Sequence, residues 1–116
     1  HPIQYALSFP ERFSSQSKRF EFMNYPELTF EKPDTETFFN LQLAYHALEK
    51  GGNTACILNA ANEIAVDAFL KDKITFLQIA EINQQCMEKT NFIAHPTYED
   101  YVATNTQARS IAKELI

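Results

Sequence analysis

The run Cys56–Leu70, CILNAANEIAVDAFL, decides how this chain is read. Apart from Asn59, Asn62, Glu63 and Asp67, every residue in it is apolar or alanine. Those four polar residues recur at helical spacing and fall on one narrow stripe. A helix with one polar edge and apolar groups elsewhere is covered by protein over most of its circumference. The run therefore predicts the central member of a small helical assembly, extending from about Thr54 to Lys71.

Helical patterns continue on both sides. Upstream, from Thr37 onward, Phe38, Leu41, Tyr45 and Leu48 step by three and four and form a single apolar stripe, with Ala44 beside it. Gly51 is placed to close that helix in a left-handed conformation, and Asn53 to cap the next. So short a connection makes the two helices antiparallel neighbours. Downstream, Thr75-Phe76-Leu77-Gln78 matches a capping box, with Ile74 and Ile79 positioned as its hydrophobic staple. The helix it opens has Phe76, Ile79, Ile82 and Cys86 on its apolar face, with Ala80 and Met87 alongside. Asn83 sits inside that face and is expected to hydrogen-bond across the bundle. After Asn91–Pro96, Thr97 can cap a last helix whose stripe is Tyr98, Tyr101/Val102, Ala108, Ile111/Ala112 and Leu115. Thr104-Asn105-Thr106 could interrupt that helix, and Thr104 with Gln107 could restart it. The acidic pairs Asp34/Glu36 and Glu99/Asp100 fall at helix starts, where negative charge favours the exposed N–H groups.

The first third of the chain reads differently. His1–Phe9 predicts a short helix with Pro2 in its first turn, an apolar face of Ile3, Leu7, Tyr5 and Ala6, and Pro10 as its end. Glu11–Asp34 is irregular: Ser14-Ser15-Gln16-Ser17 is polar and flexible, and Pro26 and Pro33 forbid a continuous helix. Phe20/Phe22 and Leu28/Phe30 alternate with polar neighbours at strand-like spacing. So many large apolar groups predict an extended arm lying across a surface, not a solvated linker. The fold class is mainly α: an antiparallel four-helix bundle over residues 35–116, preceded by a short helix within 1–12 and an extended arm over 13–34.

Composition narrows the function. A chain of 116 residues with 45% hydrophobic content can bury one core. No apolar run approaches the roughly 20 residues that span a membrane. A net charge of −5 disfavours a nucleic-acid partner. The only glycines are Gly51 and Gly52, side by side, so neither G-x-G-x-x-G nor a P-loop can be written. The chain opens at His1-Pro2, without Met or a charged-then-apolar leader, which predicts no signal peptide and a fragment or processed product. Cys56 and Cys86 both sit in helical patterns, as core thiols of a reducing compartment would.

Candidate chemistry is sparse. His1, His46 and His95 lie in separate elements without a second ligand at metal-like spacing, so surface or packing roles are favoured. The row Asn59, Glu63, Asp67, Lys71 repeats at i, i+4. It could be a ligand set, an acid–base pair, a solvent edge or an anchor for a neighbouring loop, and the structural readings are favoured. Asn62, nearest the apolar side, is expected to satisfy buried backbone groups. No Ser-His-Asp or Cys-His constellation is specified.

Three runs carry a family resemblance: LTFEKPDTETFFNLQLAY (28–45), GGNTACILNAANEIAVDAFL (51–70) and ITFLQIAEI (74–82). Together they resemble the C-terminal region of the 1-deoxy-D-xylulose 5-phosphate reductoisomerase family, and the likeness extends from His1-Pro2-Ile3 to the last helix. The pairing of LTFE-x-PD with LNAANE-x-x-V-x-AFL is its most specific part. Phe20-Glu21-Phe22 stands where the family often has Leu-Asp-Leu, and Phe38-Phe39-Asn40 replaces a more usual Phe-Pro.

The resemblance implies a three-domain parent enzyme, generally a homodimer and cytoplasmic. The parent uses NADPH and a divalent cation, Mg²⁺ or Mn²⁺, to rearrange and reduce its phosphorylated substrate to 2-C-methyl-D-erythritol 4-phosphate in non-mevalonate isoprenoid biosynthesis. It further implies that residues 1–12 end the catalytic domain, 13–34 cross to the bundle, and 35–116 form the C-terminal domain. Its metal ligands, substrate-phosphate residues, lid and cofactor loop all fall upstream of His1, so no catalytic, cofactor-binding or metal residue is carried over. Its partners would be the remaining domains of the same enzyme, with neither nucleic acid nor membrane. Two alternatives stay open: an independent helical interaction module that docks through the Phe/Leu-rich arm, and a metal-dependent hydrolase built on the Glu63/Asp67 edge.

Overall fold

The structure, a computed structural model, describes residues 2–16 and 18–116; the expectations placed on His1, on the Pro2 side chain and on Ser17 lie outside the described residues. The chain divides into two units, His1–Lys32 and Pro33–Ile116.

In the first unit, helix α1 spans Pro2–Ser8. Gln4 Nε2 donates to the Phe13 carbonyl at 3.1 Å, and the Arg12 guanidinium stands 4.5 Å from the centre of the Tyr5 ring. The strand-like alternation at Phe20/Phe22 is overturned. Phe22–Asn24 is a single 3₁₀ turn, and no strand occurs among the described residues. A local aromatic cluster competes with the extended form: Phe20 stacks on Tyr25 at 4.9 Å and meets Phe22 edge-on at 5.0 Å. None of the described residues of this unit is buried; Ile3, Leu7, Phe13, Met23, Leu28 and Phe30 all stand exposed.

The second unit is a helical bundle of α2 (Phe39–Lys50), α3 (Thr54–Leu70), α4 (Phe76–Lys89) and α5 (Tyr98–Glu114). Helix α3 packs against each of the other three. It can do so because its inward positions are small: Ala60, Ala61, Ala65 and Ala68 are buried, with Ile57 the largest fully buried side chain of the unit. Around them, Leu43, Ile74, Ile79, Ile82, Met87 and Ala112 complete the core. The long run read from sequence is thus the central helix, and Asn59, Glu63 and Asp67 form its exposed edge.

The apolar stripes of the flanking helices are partly overturned. On α2, Leu41, Tyr45 and Leu48 are exposed, as is Phe38 just before it, while Leu43 and Ala47 are buried. A helix held along one seam, here by α3 and α4, can bury only one of its apolar faces. The seam takes the face bearing the small Ala47, which permits close approach to α3. The same preference for small residues governs α5, where Thr104, Ala108 and Ala112 are buried but Tyr98, Tyr101 and Val102 are not. On α4, Phe76 stands outside the core and meets Phe69 edge-on at 5.8 Å. The break considered at Thr104-Asn105-Thr106 does not occur. The Thr106 hydroxyl donates to the Val102 carbonyl at 3.0 Å, inside an unbroken helix.

The helix ends follow their caps more closely. Thr75 and Gln78 form the capping box of α4, with the Thr75 N–H donating to Gln78 Oε1 at 2.7 Å, and Ile74 and Ile79 are both buried. Thr97 and Asp100 form the box of α5. The Thr97 N–H reaches Asp100 Oδ2 at 2.9 Å, and that bond holds the Asp100 carboxyl below the usual carboxylate range. Asp34 acts one turn earlier than expected: its Oδ1 accepts from the N–H groups of Thr37 (2.9 Å) and Glu36 (3.2 Å), ahead of α2. Gly51 closes α2 with φ 67° and ψ −149°, a region that is open to glycine and is not left-handed helical.

Asn53 occupies the N-cap position of α3 without capping it. Its side chain is fully buried and turned instead toward the segment joining α4 to α5. Nδ2 donates to the Asn91 carbonyl and to Thr104 Oγ1, both at 2.9 Å, and Oδ1 accepts from the Ile93 N–H at 3.0 Å. Its backbone N–H donates to the Ile93 carbonyl at 3.1 Å. The residue thus clasps the 91–93 segment with both its backbone and its amide. Gly52, with φ 56°, lies against that segment so closely that an added Cβ would collide with the Ile93 carbonyl oxygen and the Phe92 ring. Asn53→Ala, which strips partners from buried groups, is expected to cost about 2–4 kcal/mol, and Gly52→Ala about 1–3 kcal/mol, read as lower urea midpoints at unchanged slope. Midpoints within error of the parent chain would refute the clasp.

Candidate functional site

The polar stripe of α3 resolves into ion pairs. Asn59 Nδ2 donates to Glu63 Oε1 at 3.1 Å, Arg109 of α5 pairs with Glu63 Oε2, and Arg109 Nε also donates to Asn105 Oδ1 at 3.0 Å. Farther along, Lys71 Nζ lies 2.7 Å from Asp67 Oδ2, with both side chains exposed. The Arg109 guanidinium, and then the Asn59 amide, hold the Glu63 carboxyl below its ordinary range. A carboxylate so held is a weak base at neutral pH, and its oxygens are already occupied. The row therefore ties α3 to α5 at Glu63 and braces its own last turn at Asp67.

A second polar set lies deeper. Asn83 of α4 is fully buried, and its Nδ2 donates to Asn40 Oδ1 on α2 (2.9 Å) and to Asn62 Oδ1 on α3 (3.0 Å). Asn83 does hydrogen-bond across the bundle, as its place on an apolar face implied. Asn62 departs from expectation: it satisfies another side-chain amide instead of the backbone. The Asn83 Oδ1 atom is buried and has no hydrogen-bond partner. Beside this triad a cleft of about 450 Å³ opens between α2 and α3. The start of α2 (Asn40) lies with the middle of α3 (Asn62), and both bound the same cleft as Leu48 and Ala55, so the two helices run antiparallel.

Sequence reasoning did not find Asn40 or the partnership of Asn53 with Thr104. A signal existed: Asn40, Asn62 and Asn83 are asparagines within helices, where asparagine is unfavourable unless its amide is used.

The remaining candidates stay apart. His46 lines a separate cleft of about 590 Å³ between α2 and α4, and His95 is exposed on the segment before α5. Among the described residues no three His, Cys, Asp or Glu side chains group in a way that could hold a metal ion. Cys56 and Cys86 are free thiols. Burial pushes Cys86 up to about 11 and raises Cys56 as well; the Cys56 thiol donates to the Tyr101 carbonyl at 3.6 Å.

The second unit is of the class of small all-helical bundle domains. Residues 1–111 match the family model described as the DXP reductoisomerase C-terminal domain. The 1-deoxy-D-xylulose 5-phosphate reductoisomerase of Phocaeicola vulgatus is 55% identical over 115 residues, covering 99% of this chain and 30% of that protein. The enzyme of the same name from Bacteroides thetaiotaomicron is 53% identical over the same shares. Among solved structures, that of 1-deoxy-D-xylulose 5-phosphate reductoisomerase from Zymomonas mobilis in complex with NADPH matches 98% of this chain and 30% of its own, at TM-score 0.84 and 38% identity. The chain belongs to the 1-deoxy-D-xylulose 5-phosphate reductoisomerase family and corresponds to its C-terminal region. It spans about 30% of the length of these relatives.

The Glu63–Arg109 pair makes a checkable pH claim. A lowered carboxylate pKa adds stability that is present above the ordinary glutamate value and lost as pH falls through the lowered one. Carboxyl NMR titration should find Glu63 titrating below the ordinary glutamate range in the parent chain and at a higher pH in Arg109→Gln, where only the Asn59 amide still holds it down. An unchanged midpoint in the variant would show that the pair does not hold Glu63.

Proposed function

We propose that this chain is the C-terminal part of a 1-deoxy-D-xylulose 5-phosphate reductoisomerase, and that it supports chemistry performed by residues outside it. In this reading, residues 1–12 end the catalytic domain, 13–34 are a connecting arm, and 35–116 are the helical domain that buttresses the whole. The parent would be a cytoplasmic homodimer that rearranges and reduces its phosphorylated substrate with NADPH to 2-C-methyl-D-erythritol 4-phosphate. A divalent cation, Mg²⁺ or Mn²⁺, would supply Lewis-acid stabilisation of the substrate oxygens. Among the described residues no cluster fits that ion: Glu63 and Asp67 are committed to Arg109 and Lys71, and His46 and His95 belong to separate elements.

The observation that carries the reading is the match of nearly the whole chain to a region covering 30% of the relatives' length. The arm and α1 add support, since their large apolar side chains find no burial within their own unit. Two assays test it. The chain alone, given substrate, NADPH and Mg²⁺, should oxidise NADPH no faster than buffer. The whole enzyme lacking residues 35–116 should lose turnover while retaining NADPH binding. Turnover by the chain alone, or full activity without residues 35–116, would refute the supporting role.

A further inference from the structure

We draw no further inference here: the strongest candidate, the α2/α4 cleft lined by His46, Lys50 and Lys89, has only exposed basic side chains with Glu88 among them, and nothing in the structure shows what covers it.

Discussion

Three helices must approach α3 at once, and that requirement organises the bundle. Close approach on several sides demands small side chains, which Ala60, Ala61, Ala65 and Ala68 provide on α3, Ala47 on α2, and Ala108 and Ala112 on α5. Each alanine buries little area, so apolar burial per contact is modest. Directional bonds at the ends and between the helices complete the assembly. Asn53 clasps the 91–93 segment, two capping boxes start α4 and α5, and Asn83 joins α2, α3 and α4.

The same constraint explains which features were legible in the sequence. The central helix could be read directly because a run apolar on nearly every side has one interpretation once its polar stripe is seen. The capping boxes could also be read, since their residues are adjacent and their bonds local. Periodicity reports that a helix has an apolar face; it does not say which of two faces turns inward. On α2 the larger stripe, Leu41, Tyr45 and Leu48, was the natural choice, yet the seam took Leu43 and Ala47. On α5 the tyrosines gave way to Thr104, whose hydroxyl serves Asn53 across a separation no local pattern reveals. Phe20 and Phe22 mimicked a strand because alternation cannot foresee a neighbouring ring, here Tyr25.

For function, the residues of the α3 polar stripe that invited a catalytic reading all have partners within the bundle. Glu63 is held by Arg109 and Asn59, Asp67 by Lys71, and Asn62 by Asn83. Their spacing on one helix made them look like a site, but Arg109 on α5 and Asn83 on α4 make Glu63 and Asn62 joints of the bundle, and Asp67 pairs within its own helix end. Family membership gives those joints a setting, because the matched region is about 30% of the relatives' length. Among the described residues the outward stripe of α2 stays exposed, and the buried Thr54 Oγ1, Asn83 Oδ1 and Thr90 Oγ1 have no hydrogen-bond partner.

If packing on α3 is the constraint from which the rest follows, its amides should be the last to exchange. Native-state hydrogen exchange across Pro33–Ile116 measures this directly. The inward amides of α3, from Ile57 to Ala68, are predicted to exchange only through global unfolding, sharing one opening free energy and one denaturant slope. Exchange of these amides by local opening, while α4 or α5 stays protected, would contradict the placement of α3 at the centre of the bundle's stability.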